Sequence, residues 1–204
     1  MIGFCSSRKG VVIGVGVMNY HDRLGRSGND GTVYRDYLGR LASFVVRLIE
    51  YGYAVRVLVG DVVWDRGVRR DLKKALEERG LKYEDASIID EPASSVDELL
   101  SQLSSVDVVV ASRYHNVLLA LLLVKPVVAI SYHEKFKPLL NGLGMDEFCQ
   151  DIEHIDVDEL LGKLARLQKN WPSIKLQIER EAASYRASLE QNPIILYRPD
   201  NRRI

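Results

Sequence analysis

"VDVVVASRYHNVLLALLLVKPVVAIS", residues 106–131, decides how the rest of the chain is read. Two short β-branched runs, 106–112 and 126–131, enclose a leucine-rich segment, 113–124, that is too long for a strand. The valine and isoleucine runs are continuous rather than alternating, which marks strands covered on both faces, as in a parallel sheet flanked by helices. Parallel neighbours need a crossover, and the leucine-rich segment supplies one as a helix. The unit therefore predicts strand, helix, strand, with Ser112, Arg113, Tyr114 and His115 at the turn into the helix.

Working upstream, the same alternation repeats. Strands are predicted at 9–18, at 53–61 and, more weakly, at 86–90, with helices over 34–51, 67–79 and 96–103. In the first helix Tyr37, Leu38, Leu41, Phe44, Val45, Leu48 and Ile49 recur at three- and four-residue steps, and Gly52 and Gly80 are placed to stop the first two helices. A loop rich in Gly, Asp and Arg runs from His21 to Gly31, and Gly60-Asp61 reads as a turn. Downstream come a short strand near 147–150, a helix over 156–170 capped by Asp156, and another from Pro172 to about residue 189. Repeated βα units predict an α/β fold: a doubly wound parallel sheet flanked by helices, Rossmann-like, with right-handed crossovers. The expectation is one domain over 1–204 with a helical tail at about 156–190. The usual strand order, 3-2-1-4-5, places the ends of strands one and four at the switch point where such sheets bind ligands.

Composition narrows the function classes. Formal net charge is zero, which argues against a general affinity for nucleic acid or anionic membranes. Cys5 and Cys149 lack CxxC spacing, so neither a disulfide framework nor a zinc site is expected, and a reducing cytoplasm fits. The most apolar window, around 106–132, is broken by Arg113, His115, Lys125 and Pro126, so no membrane span is expected. The "GVG" at 14–16 lacks the third glycine of a dinucleotide fingerprint and lies inside a strand.

The chemistry concentrates at the corner after the fourth strand. Ser112 is placed to cap the helix, with Arg113, Tyr114 and His115 in its first turn. Backbone N–H groups and the helix dipole favour an anion there. Arginine adds a planar fork for carboxylate or phosphate, and histidine a proton donor that titrates near neutrality. The body of the helix, "NVLLALLLV", is expected to be embedded. Tyr132, His133, Glu134 and Lys135 follow the fifth strand and open onto the same rim, where Lys135 completes the anion site. Asn19, Tyr20 and His21, at the end of the first strand, are placed to line the cleft, the competing reading being plain loop residues. The competing interpretation is structural: Arg113 and His115 satisfy backbone groups or an acidic partner, and Lys135 is a solvated first-turn charge.

These residues resemble a known signature. "VDVVVASRYHNVLLALLLVKPVVAISYHEKFKPLLNGLGM" is similar to the polysaccharide pyruvyl transferase family, in which an S-R-x-H segment precedes an apolar helix and then "PVVAISY", a lysine and an "LG" turn. "IGVGVMNY", "YRDYLGRLASFVVRLIEYGYAVRVLVGD" and "FCQDIEHIDVDEL" resemble the C-terminal half of such proteins. The resemblance implies one lobe of a two-lobed GT-B-like architecture, and transfer of a pyruvyl group from phosphoenolpyruvate to a sugar hydroxyl in cell-surface polysaccharide synthesis. It implies no cofactor beyond that donor. His115 matches the general acid, and Arg113 the donor-binding arginine. Ser112, Tyr114, Lys135, Asn19 and Tyr132 are the accompanying substrate-binding candidates. The family's N-terminal lobe is not matched, so a separate lobe or self-association is expected as partner, alongside a sugar or polysaccharide acceptor. Two other functions compete: a nucleotide-sugar glycosyltransferase domain, and a non-catalytic binding or assembly module on the same fold.

Overall fold

A computed structural model describes residues 10–20, 31–60, 65–83 and 87–191, without the side chains of 66, 182 and 184–191. Cys5, Asp61, Ala86 and nearly all of the loop expected between His21 and Gly31 lie outside them. Six strands form one sheet in the order β3-β2-β1-β4-β5-β6. They are β1 (Val12–Val17), β2 (Ala54–Val59), β3 (Ile88–Ile89), β4 (Val108–Ala111), β5 (Val127–Ser131) and β6 (Cys149–Asp151), and every pairing is parallel. The expected order holds for the first five strands, and the short strand foreseen near 147–150 pairs with β5 as the sixth.

The helices are α1 (Thr32–Glu50), α2 (Arg66–Glu77), α3 (Val96–Ser104), α4 (Tyr114–Leu122), α5 (Phe136–Asn141) and α6 (Val157–Gln191). α1 packs against α2 and α6, and α3 against α4. That grouping is the one right-handed crossovers impose on a doubly wound sheet. The apolar stripe of α1 is buried from Tyr34 to Leu48. The helix stops where Gly52, at φ 82°, lets the Tyr53 N–H turn back to the Leu48 carbonyl at 3.1 Å. Gly80, at φ 80°, does the same for α2, with Leu81 N–H donating to Leu76. Asp156 caps α6 as expected, its carboxylate accepting from the Glu159 N–H at 2.9 Å.

Two expectations about helices change. The tail is one helix of 35 residues with Pro172 inside it, not two. Leu167 and Ile178 are buried and Trp171 and Ile174 half-buried, so one core-facing stripe runs past the proline, which is itself exposed. Packing along that stripe outweighs the one backbone hydrogen bond a proline removes. Nor is α4 embedded all round: Val117, Ala120 and Leu121 are buried, but Leu122 is 64% exposed. α4 is a one-faced covering helix of the sheet. Among the described residues no helix is long and apolar enough to cross a membrane.

Candidate active site

The carboxyl ends of β1 and β4 lie side by side, with Gly16 paired to Ala111. α4 comes down very closely onto this edge. A Cβ on Gly16 would stand 2.5 Å from Ala111 Cβ and 2.8 Å from Asn116 Nδ2, and one on Gly60 would stand 2.7 Å from Asn116 Oδ1 and 3.1 Å from Arg113 Cβ. Glycine at these two positions is a packing requirement. Gly16, the second glycine of the "GVG" of β1, thus belongs to helix–sheet contact rather than to a phosphate turn.

That approach buries Arg113 to 4% exposure and points its guanidinium inward at Asp65, which is wholly enclosed. Arg113 Nε donates to Asp65 Oδ2 at 2.7 Å and Nη2 to Oδ1 at 2.5 Å, a bidentate pair. The backbone N–H of Asn19 donates to the same Oδ1 at 2.8 Å. Asp65 therefore joins the ends of β1 and β4 to the start of α2. It occupies the N-cap position of α2, yet its side chain makes no capping bond. An aspartate just before a helix reads as a cap, and that reading hides its partner from the sequence. Arg113 has the acidic partner that the structural interpretation called for, and the open fork expected of it is closed on two of its N–H groups.

Ser112 also differs from expectation. Its N–H continues the ladder to the Gly16 carbonyl at 3.0 Å, which holds it in the strand, and α4 starts one residue later with Arg113 at its N-cap. The Ser112 hydroxyl is buried and lies 3.0 Å from Tyr37 Oη, which accepts from the Met18 N–H at 3.3 Å. Ser112 thus sits below the rim and ties β4 to α1.

Burial pushes the Tyr37 phenol up to about 12, and burial with hydrogen bonds to Asp71 and Asp90 pushes Tyr34 and Tyr83 higher still. A raised folded-state value contributes stability that is complete below the unfolded tyrosine value near 10 and is lost as pH rises through the folded value. The protein is expected to lose roughly 2–3 kcal/mol by pH 12 from Tyr37 alone. Urea midpoints between pH 8 and pH 11.5 check this: a steep fall should begin above pH 10 and be shallower in Tyr37→Phe. A flat profile in the parent protein would contradict it.

The remaining candidates stand higher, on one rim. Tyr114 is half-buried, and its ring meets Phe136 at 5.4 Å and His115 at 6.2 Å, both T-shaped. His115 is exposed. Tyr132 packs on Phe136 at 5.6 Å and on Tyr20 at 6.4 Å. Lys135 Nζ lies 4.4 Å over the Tyr114 ring and 5.6 Å from that of Tyr132, and it has no carboxylate partner among the described residues. The cluster after β4 and the cluster after β5 therefore meet, as the strand order predicted. Arg113 is separated from them by its pairing inward, so the cation facing Tyr114 and Tyr132 is half-buried Lys135, and His115 and His133 are both exposed imidazoles.

Asn116, also missed by the sequence reading, is fully buried with neither amide atom hydrogen-bonded among the described residues. It lies beneath the first turn of α4, against the two glycines. No grouping of three or more metal-binding side chains occurs among the described residues.

Fold and site together define a doubly wound α/β domain whose ligand edge carries a neutralised arginine beneath an exposed histidine and an aromatic-stacked lysine. The profile of the polysaccharide pyruvyl transferase family matches residues 18–134, more than half of the chain, and the chain belongs to that family. The match includes Arg113 and His115 and ends one residue before Lys135. No curated protein matches the sequence. Among solved structures, one reported as the structural basis for EarP-mediated arginine glycosylation of translation elongation factor EF-P aligns with a TM-score of 0.48 at 14% identity. The alignment covers 92% of this chain and 62% of that one, so the chain spans less than two thirds of that protein's length.

Proposed function

We propose that this domain transfers a pyruvyl group from phosphoenolpyruvate to a sugar hydroxyl in polysaccharide synthesis, in the cytoplasm and together with a second lobe that closes the cleft. Family membership supports the reaction class. The observation that carries the local assignment is the meeting of Lys135 with Tyr114, one residue from exposed His115. Lys135 and the first-turn N–H groups of α4 attract the carboxylate and phosphate of the donor. Arg113, paired with Asp65, fixes the base of the seat without adding net charge to it. His115 gives its proton to the methylene carbon, which becomes a methyl group, while positive charge develops on the neighbouring carbon. A sugar hydroxyl attacks that carbon, phosphate departs with the C–O bond electrons, and a second hydroxyl closes the ketal.

The test is donor-dependent thermal stabilisation, with phosphoenolpyruvate compared against UDP-sugars. Phosphoenolpyruvate should raise the melting temperature, UDP-sugars should not, and Lys135→Ala should weaken the donor's effect about tenfold, the loss of one charge-assisted contact. Stabilisation by UDP-sugars alone would favour a glycosyltransferase, and stabilisation by neither a non-catalytic module.

A further inference from the structure

One strand away from this corner, a cavity of about 390 Å3 opens beside the carboxyl ends of β5 and β6. Ser131 and Asp151, neighbours in the ladder, form one side. Lys137 and Asn141, four residues apart on α5, form the other, with Leu140 beneath and Asp146 at the edge. The side chains of Lys137, Asn141 and Asp146 have no hydrogen-bond or ion-pair partner among the described residues. Three polar groups of different chemistry thus converge on one space with their bonding capacity unspent.

The lining selects its occupant. One ammonium against two carboxylates leaves the cavity net negative, which disfavours phosphoenolpyruvate or a nucleotide diphosphate. No metal-binding grouping is found among the described residues. Carboxylates accept from hydroxyls, while the amide and ammonium donate to them. Leu140 offers an apolar floor, and burial pushes the Cys149 thiol up, so that sulfur stays neutral. Mixed donors and acceptors over an apolar floor suit a neutral sugar ring, and the volume lies at the small end of ligand pockets, roughly 300–1,000 Å3.

We propose that this cavity between α5 and the ends of β5 and β6 is the subsite for the sugar acceptor. The choice of ligand rests on the pyruvyl transferase reading. Cavity and corner share the carboxyl end of β5: Ser131 lines the cavity, and Tyr132, the next residue, packs with Phe136 at the corner. The acceptor hydroxyls and the anionic donor are then sorted by charge onto neighbouring strands of one sheet edge.

Amide chemical-shift mapping with methyl glycosides of glucose, galactose, mannose and N-acetylglucosamine tests the subsite, with phosphoenolpyruvate titrated separately. At least one glycoside should shift the amides of Ser131, Asn141 and Asp151. Asn141→Ala and Asp146→Ala, both at exposed positions, should each weaken it about tenfold, the loss of one polar contact. Phosphoenolpyruvate should shift the His115 and Lys135 amides equally in the parent protein and both variants. If no glycoside binds, or if binding is indifferent to both substitutions, the subsite is wrong while donor binding leaves the catalytic reading standing. Glycoside binding without donor binding would uphold the cavity as a sugar site and remove the pyruvyl transferase reading.

Discussion

Replacing Asp65 with alanine is expected to cost roughly 3–5 kcal/mol of stability, the usual penalty for breaking a buried ion pair by removing one partner. The Arg113 side chain is 5% exposed and that of Asp65 not at all, so water cannot take the place of the lost carboxylate. Two guanidinium N–H groups and the Asn19 N–H would lose their acceptor together. Coulomb attraction is not what stabilises the fold here, because desolvating both charges offsets most of it. The penalty arises from asymmetry. A double replacement, Asp65→Leu with Arg113→Met, removes both charges and should therefore be much closer to the parent protein than Asp65→Ala. Urea unfolding of the three proteins decides the matter, and an Asp65→Ala midpoint within about 1 kcal/mol of the parent would mean that the pair opens readily to water. The same reasoning makes Arg113→Ala a poor probe of donor binding, since it would strand Asp65.

The pair also explains which parts of this molecule its sequence discloses. Strand identity follows from continuous valine runs separated by helical periods, because burial on both faces leaves no room for polar alternation, whereas the order comes from the usual arrangement of such sheets. Gly52 and Gly80 disclose helix ends because left-handed backbone there favours glycine. The end of α4 is different. Val124 takes φ 54°, a conformation that costs a β-branched residue about 1–2 kcal/mol, and no glycine flags it. Lys125 N–H still reaches back to the Ala120 carbonyl at 2.9 Å, and its ammonium bonds the Ser104 and Val106 carbonyls, so tertiary contacts hold the turn. Asp65 is illegible for a related reason. Its partner is 48 residues away, and a local motif, aspartate before a helix, offers a sufficient explanation of its presence.

For the site, sequence position distinguished the rim but not the direction of each side chain. Ser112, Arg113, Tyr114 and His115 are consecutive, and a strand-to-helix turn sends successive side chains to different places: Ser112 to α1, Arg113 to Asp65, Tyr114 to Phe136 and Lys135, His115 to solvent. A polar run at such a turn therefore mixes structural and solvent-facing groups. The two best-buried members hold the edge rigid, and the two above them are left to meet a ligand. On this division, substitutions at Ser112 and Arg113 act first on stability, while those at His115 and Lys135 act first on ligand handling.

His115→Ala is accordingly expected to fold like the parent, with a stability change within about 0.5 kcal/mol, because an exposed first-turn side chain contributes little packing. Turnover should fall roughly 10²–10⁴-fold, the ordinary contribution of a positioned general acid. Phosphoenolpyruvate should still raise its melting temperature, because Lys135 and the helix N–H groups remain. The neighbouring His133→Ala, at a ring that accepts the Lys135 backbone N–H at 3.2 Å and meets the Tyr132 ring edge-on, should reduce turnover less than tenfold. Phosphate release with a sugar acceptor measures the rates, and one deuterium in the new methyl group after reaction in D2O shows that the methylene carbon is protonated by a solvent-exchangeable acid. Turnover in His115→Ala within tenfold of the parent would remove the imidazole from the proton-transfer step. Proportionate loss in His133→Ala and His115→Ala would instead point to a general requirement for the shape of the rim. A selective loss at His115, with donor stabilisation kept, is the combination expected of a group that acts in the chemical step rather than in donor binding.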